Sequence, residues 1–284
     1  MSEKKTLIDI LVDIDRRIIF ALVFIALTIP LVFGMPLPLP ISNNVKKYYE
    51  TLESVPAGTV VGVDAELTGA TYPQLGSDLT LVFVQLLRRD AKIVIWTLTV
   101  DSPPFNALAM DDALRLLGAK GATKKYGVDW VDLGYVAGTE TGLTSLMTSM
   151  KGTVSADRLG NKIADLPMMK NVDSGKDLSL VVWHSGSAGS APYGIRQING
   201  RFRTPMLVAV TSNEYPLYFT YLEAGQIVGL IGGARGAAEH EFLMNMPGLA
   251  TGQTSALALG GVVILVLLLI GNGTYILRKR RTKK

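Results

Sequence analysis

The residues best placed to do chemistry lie in one short stretch, His184-Ser185-Gly186-Ser187-Ala188-Gly189-Ser190, which follows the apolar run 178–183. A loop of small residues between a strand and a helix exposes backbone N–H groups and can cradle an anion. The same composition also suits a tight turn that needs glycine. The stretch lacks the Gly-Lys-Ser/Thr ending of a phosphate loop and is not a G-x-G-x-x-G in register. Ser185 beside His184 invites a nucleophile–base reading, but adjacent residues on a strand end point to opposite sides. The contexts H-S-G and G-S-A are not a nucleophile elbow. His240 is the second of only two histidines and sits near the C-terminal apolar run, so a Ser-His-acid hydrolase is disfavoured.

A second constellation is acidic. Asp64 and Glu66 stand at i and i+2, on one side of a strand end, a spacing that a hard cation can use. Asp101 joins them if the next strand is adjacent. Polar residues capping a solvent-facing strand end are the plainer reading. Tyr135 follows a third apolar run. The candidate ligand-binding set is therefore Asp64, Glu66, Asp101, Tyr135, Ser185, Gly186 and Ser187. Nothing in the sequence specifies a cofactor or a metal site. With no cysteine, thiol nucleophiles, disulfides and Cys-ligated metals are excluded.

The third feature is GQIVGLIGGARGAAEHE, residues 225–241. Glycine in a helix interior costs about 0.5–1 kcal/mol relative to alanine, so a Gly-rich helix over 223–238 needs a compensating contact. The spacing of Gly225, Gly229, Gly232, Gly233 and Gly236 contains small-xxx-small patterns that permit close helix approach. That makes the glycines a candidate oligomer interface, with packing inside the domain as the alternative. Glu239, His240 and Glu241 follow as an acid–imidazole–acid cluster near the membrane junction, open to pairing, titration or plain solvation.

These residues need elements to hold them. Apolar runs at 59–67, 92–100, 130–136, 178–183 and 206–211 alternate with helical patterns at 77–89, 111–125, 141–150 and 191–200. Five buried strands alternating with helices predict an α/β fold: a Rossmann-like three-layer sandwich on a mainly parallel five-stranded sheet. In such sheets ligands bind outside the carboxyl ends of the strands. Residues 151–177 read as a long excursion.

The domain is bounded by two uncharged apolar runs, 18–35 and 256–277. At 1.5 Å per residue these cover roughly 27 and 33 Å, sufficient for transmembrane helices over 18–38 and 255–277. The first lacks the cleavage site of a signal peptide and reads as an uncleaved anchor containing Pro30. Residues 6–17 read either as an amphipathic segment on the cytoplasmic side or as an extension of the first transmembrane helix, and 36–44 as a proline-rich stalk. Arg278, Lys279, Arg280, Arg281, Lys283 and Lys284 follow the second run, and Lys4, Lys5, Arg16 and Arg17 precede the first. This excess places both termini in the cytoplasm and domain 39–250 outside, in a two-pass cell-membrane protein. The net charge of +4 belongs largely to that tail, so the partner it implies is a lipid bilayer and not nucleic acid.

The run Tyr221-Leu-Glu-Ala-Gly225-Gln226-x-x-Gly229-Leu230-x-Gly232-Gly233-x-x-Gly236-Ala237-Ala238-Glu239-x-Glu241 resembles a group of uncharacterised bacterial and archaeal membrane proteins with an α/β domain between two spans. Tyr126-Gly-Val-Asp129-Trp-Val-Asp-Leu133-Gly134-Tyr135 and Pro167-Met-Met are similar to further segments of that group, while His240 departs from the aromatic expected between the two acids. The resemblance implies the architecture and no activity. Two functions follow: a membrane-anchored scaffold or assembly subunit, oligomeric through the Gly-rich helix or docked in a membrane complex; or an extracytoplasmic ligand-binding module or enzyme using the strand-end loops.

Overall fold

A computed structural model describes residues 15–35, 38–186 and 189–281; side chains at 277, 278, 280 and 281 lie outside the description. Most of the amphipathic segment, Pro36 of the stalk, the last three residues of the basic tail, and Ser187 therefore lie outside the described residues. The chain divides into two compact units, one of residues up to Pro38 together with those from Thr251 onward, the other Leu39–Ala250.

The first unit contains the two apolar helices, Arg16–Phe33 and most of Leu249–Arg281, each long and apolar enough to cross a membrane. The first continues through Pro30. They meet along small residues. A Cβ on Gly252 would lie 3.4 Å from the Pro30 carbonyl oxygen, and one on Gly260 2.6 Å from Leu27. Ala256, midway between, is buried, as is Ala26. Gly252-xxx-Ala256-xxx-Gly260 is thus a small-xxx-small stripe that brings two helices together, as lipid-embedded helices do where no hydrophobic drive exists between them.

The second unit is built on a parallel sheet of six strands: β1 Val60–Glu66, β2 Lys92–Thr97, β3 Trp130–Tyr135, β4 Leu180–Ser185, β5 Met206–Val210 and β6 Gly229–Gly232. Their order is β3-β2-β1-β4-β5-β6. The chain works outward from β1 to β3, returns beside β1 with β4, then works outward the other way. β1 and β4 therefore flank the point where the winding reverses. Residues alternate between faces along each strand. Val61, Val63, Ala65, Ile93, Val182 and Leu207 pack under the helices Asn43–Glu53, Tyr72–Arg88 and Pro103–Leu116. Val94, Trp96, Val131, Val181, Trp183 and Val208 pack on the opposite face against Leu143, Leu146, Met147 and Ile195. Each face buries large apolar side chains at about 25 cal/mol per Å², the main force holding the layers.

Three expectations are corrected. The sheet has six strands, not five. The sixth lies within the segment expected to be a Gly-rich helix: residues 219–223 are helical, Gly225 turns the chain at φ 68, Gly229–Gly232 pairs with β5, and only Gly233–Met244 is helical again. Val228–Ile231 is a short apolar run between turn signals, and small residues allow a helix to lie directly upon it. A Cβ on Gly229 would fall 2.7 Å from the Cα of Tyr48. Finally, the second helix of the domain begins at Tyr72 with Pro73 in its first turn, not at Ser77 or Asp78. Asp78, expected as a cap, is a fully buried mid-helix acid.

Candidate functional site

The reversal point brings four of the expected site residues together. Asp64 and Glu66 point to the same face of β1, and Glu66 lies in register with Ser185 of β4. Gly186 donates its N–H to the Glu66 carbonyl at 3.3 Å. Ser185 Oγ lies 3.0 Å from Ser190 Oγ, which also accepts from the Trp183 indole at 3.4 Å. All are buried except the intermediate Gly186. Asp101 and Tyr135 do not join them. Asp101 sits in the exposed loop beyond β2, and Tyr135, at the far end of outermost β3, is 44% exposed. The expectation that Asp101 completes the acidic set is thereby corrected: its strand is adjacent to β1, but the residue lies four positions past the strand end.

Residues outside that candidate set complete the site; of these, Glu214 lies in the TSNEYP segment after the fifth strand, one of the strand-end segments that the sequence marks. Thr211, Glu214 and Tyr218 follow β5, and Trp96 on β2 is in register with Asp64. Both Asp64 carboxylate oxygens, Glu66 Oε1, Glu214 Oε2, Thr211 Oγ1, Tyr218 Oη and Trp96 Nε1 are buried with no hydrogen-bond partner among the described residues. Leaving a buried polar group unpaired costs about 1–3 kcal/mol, so this concentration at one edge of the sheet is expensive as structure alone.

Electrostatics at the site is dominated by burial. Asp64 is pushed well above the usual carboxylate range, first by burial and then by the neighbouring Glu66 charge. Glu66 rises to about 7: burial raises it, a Ser190 hydrogen bond opposes this, and Glu214 adds like charge. Burial also raises Glu214. The Tyr218 phenol is raised by burial and by Glu214 and Glu66. A carboxyl poised near neutrality beside a protonated one can both accept and donate hydrogen bonds, and can pass a proton at neutral pH. Among the described residues no group of three or more His, Asp or Glu is arranged to hold a metal ion.

The opposite face holds a second polar assembly, centred on Asp78, in which the buried His184 Nδ1 alone lacks a partner among the described residues. His184 and Ser185 point to opposite faces, as strand geometry demands. His184 Nε2 lies 2.8 Å from Asp78 Oδ2, and His240 Nδ1 lies 2.6 Å from Asp78 Oδ1. Tyr48 Oη donates to Asp78 at 3.1 Å. The two histidines of the chain thus meet on one carboxylate, and all four side chains are inaccessible. His240 Nε2 lies 2.7 Å from Gln85 Oε1, whose amide nitrogen donates to Glu53 at 2.8 Å. Because Gln85 gives its amide donor to Glu53, it presents its oxygen to His240. Burial raises Asp78, but hydrogen bonds and charge from His184 and His240 outweigh it and hold the carboxyl far below its ordinary range. The assembly fastens three helices, Asn43–Glu53, Tyr72–Arg88 and Gly233–Met244, to β4 beneath the reversal point. It leaves no signal in the sequence, where Asp78 reads as a helix cap.

The junction cluster is likewise structural, correcting the solvated reading. Glu239 accepts from the Ser42 N–H at 2.8 Å and pairs with Arg235. Glu241 accepts from Ser77 Oγ, from the Gly248 N–H at 2.8 Å and from the Ala250 N–H at 3.1 Å. The glycines proposed as an oligomer interface face their own domain: Gly229 meets Tyr48, Gly232 Tyr215, Gly233 Ser212 and Gly236 Ile231. Gly232 and Gly236 also line an open groove of about 430 Å³ with Arg235 and Glu239. With Gly225–Gly232 outside any helix, the small-xxx-small premise for that interface is removed. Comparison with protein-family models, with curated proteins and with solved structures finds no match to this chain.

Proposed function

We propose that the chain is a membrane-anchored binding protein whose outside domain takes a small, donor-rich ligand, an amine or a polyol, at the carboxyl edge of the sheet between β1 and β4. One observation carries this reading: buried oxygens of Asp64, Glu66 and Glu214 without partners among the described residues gather at the edge where parallel sheets bind ligands. Oxygens in that state call for hydrogen-bond donors. The chemistry is unlike that of a nucleotide site, because no basic side chain of the described residues stands among these acids and no glycine fingerprint follows β1. The two apolar helices supply the anchor, and the cations flanking them support cytoplasmic termini with the domain outside.

A thermal-shift panel on the full chain in detergent tests the reading. Polyols, amino sugars and polyamines should raise Tm, nucleotides should not, and Asp64→Asn with Glu66→Gln should abolish the response. A response to nucleotides that survives both substitutions would overturn it, as would no response to any donor-rich compound.

A further inference from the structure

The Tyr126–Tyr135 segment encloses a separate cavity. It measures about 210 Å³ and is lined by Ile95, Asn106, Met110, Asp111, Tyr126, Trp130, Asp132, Arg158 and Leu159, among others. At roughly 30 Å³ per water it holds about seven waters, the scale of a small metabolite. Tyr126 and Trp130 form two walls at an interplanar angle of 90°, with ring centroids 5.8 Å apart.

Its polar groups divide by sign. Asn106 is 1% exposed; its amide nitrogen donates to the Ala65 carbonyl at 3.2 Å, leaving Oδ1 without a partner. Asp111, on the exposed rim, makes no hydrogen bond or ion pair among the described residues. Both seek a donor. Arg158 supplies the opposite sign. Its Nε donates to Asp132 at 2.7 Å, and its two terminal nitrogens have no acceptor among the described residues. Asp132 is itself saturated, since its other oxygen accepts from the Gly134 N–H at 2.9 Å.

The guanidinium is also held in place before any ligand arrives. The Arg158 N–H donates to the Asp132 carbonyl at 2.9 Å, and Asp157 ties the turn by accepting from the Leu159 and Asn161 N–H groups at 2.9 and 2.8 Å. Gly134, at φ 75, lets this turn lie 3.6 Å from where a Cβ would stand.

We infer that this cavity binds a small zwitterion of the amino-acid or betaine class. Its carboxylate meets the free fork of Arg158, and its cationic end meets Asn106 Oδ1, Asp111 and the Tyr126–Trp130 corner. A planar guanidinium recognises carboxylate in two-pronged fashion, and an aromatic corner beside a carboxylate suits an organic cation. A simple amine leaves the fork unpaired; a simple carboxylate leaves Asn106 and Asp111 unpaired. The site does not depend on the reversal-point reading.

Calorimetry on the full chain in detergent, with free amino acids, betaine, monoamines and monocarboxylates, decides the matter. At least one zwitterion should bind, while amines and carboxylates of equal size bind at least tenfold more weakly. Arg158→Lys keeps a cation beside Asp132 but loses the fork, and exposed Asp111→Asn disturbs no contact. Each should weaken the zwitterion at least tenfold, the loss of one charge-assisted hydrogen bond. Glu66→Gln should leave it unchanged. Equal binding of a plain amine that survives Asp64→Asn with Glu66→Gln, no binding of any zwitterion, or affinity indifferent to both Arg158→Lys and Asp111→Asn would overturn the assignment.

Discussion

Removing the Asp78 carboxylate tests how the domain is held beneath its reversal point. Asp78→Ala strands three buried donors at once: Tyr48 Oη, His184 Nε2 and His240 Nδ1. Each unpaired buried donor costs about 1–3 kcal/mol, and removing one member of a buried ion pair costs about 3–5 kcal/mol. These costs overlap because the donors share one acceptor, so the expected loss is about 4–6 kcal/mol. For a domain of this size 1 kcal/mol moves Tm by about 2–4 °C, giving a fall of about 10–20 °C. Buried Trp96 and Trp183 report the transition by fluorescence in detergent. His240→Leu removes one of the ring contacts that Asp78 makes, so the double variant should be more stable than the two single losses predict, by at least about 1 kcal/mol. A fall under about 3 °C for Asp78→Ala, or strict additivity, would refute the claim that Asp78 and His240 act as one buried pair.

Four other outcomes follow from the same structure. Glu66 is raised from its ordinary 4.5 to about 7, so the folded state holds a proton that the unfolded chain releases; this stabilisation is complete below about pH 4.5 and is lost as pH rises through 7. The loss is up to ~3 kcal/mol, and Glu66→Gln should flatten Tm against pH across that window. Gly229→Ala drives a Cβ into the Tyr48 backbone and should cost about 1–3 kcal/mol with no change of oligomeric mass by light scattering, whereas an intersubunit glycine would change the mass. Gly260→Leu should separate the two apolar helices, read as lost cross-linking between cysteines placed at Leu31 and Gly252, where an added Cβ would lie 3.6 Å from the Leu31 Cα. Because the chain has no native cysteine, Asp101→Cys and Thr282→Cys are clean reporters of orientation: in intact cells an impermeant maleimide should label the first and spare the second, and the reverse would invert the proposed topology.

The apolar spans and the alternation of strand and helix were legible because each is a local property. A charge-free run of sufficient length, or a β-branched run between turn residues, gives the same signal wherever it sits in space. The placement of Asp64, Glu66 and Ser185 at strand ends was legible for the same reason. Strand order was not, because hydrogen bonding between β1 and β4 joins residues more than a hundred positions apart and leaves no local mark. The short strand Gly229–Gly232 was misread as helix because glycine spacing carries no period of its own, and only the backbone of Tyr48 pressing on Gly229 reveals why the side chain is absent. Sequence alone thus determined the two helices long and apolar enough to cross a membrane, the layered α/β class and the strand-end positions of Asp64, Glu66 and Ser185. Tertiary structure decided which acids share that edge, and it joined His184 to His240 through Asp78. Convergence of buried side chains depends on three-dimensional packing, to which one-dimensional spacing is blind.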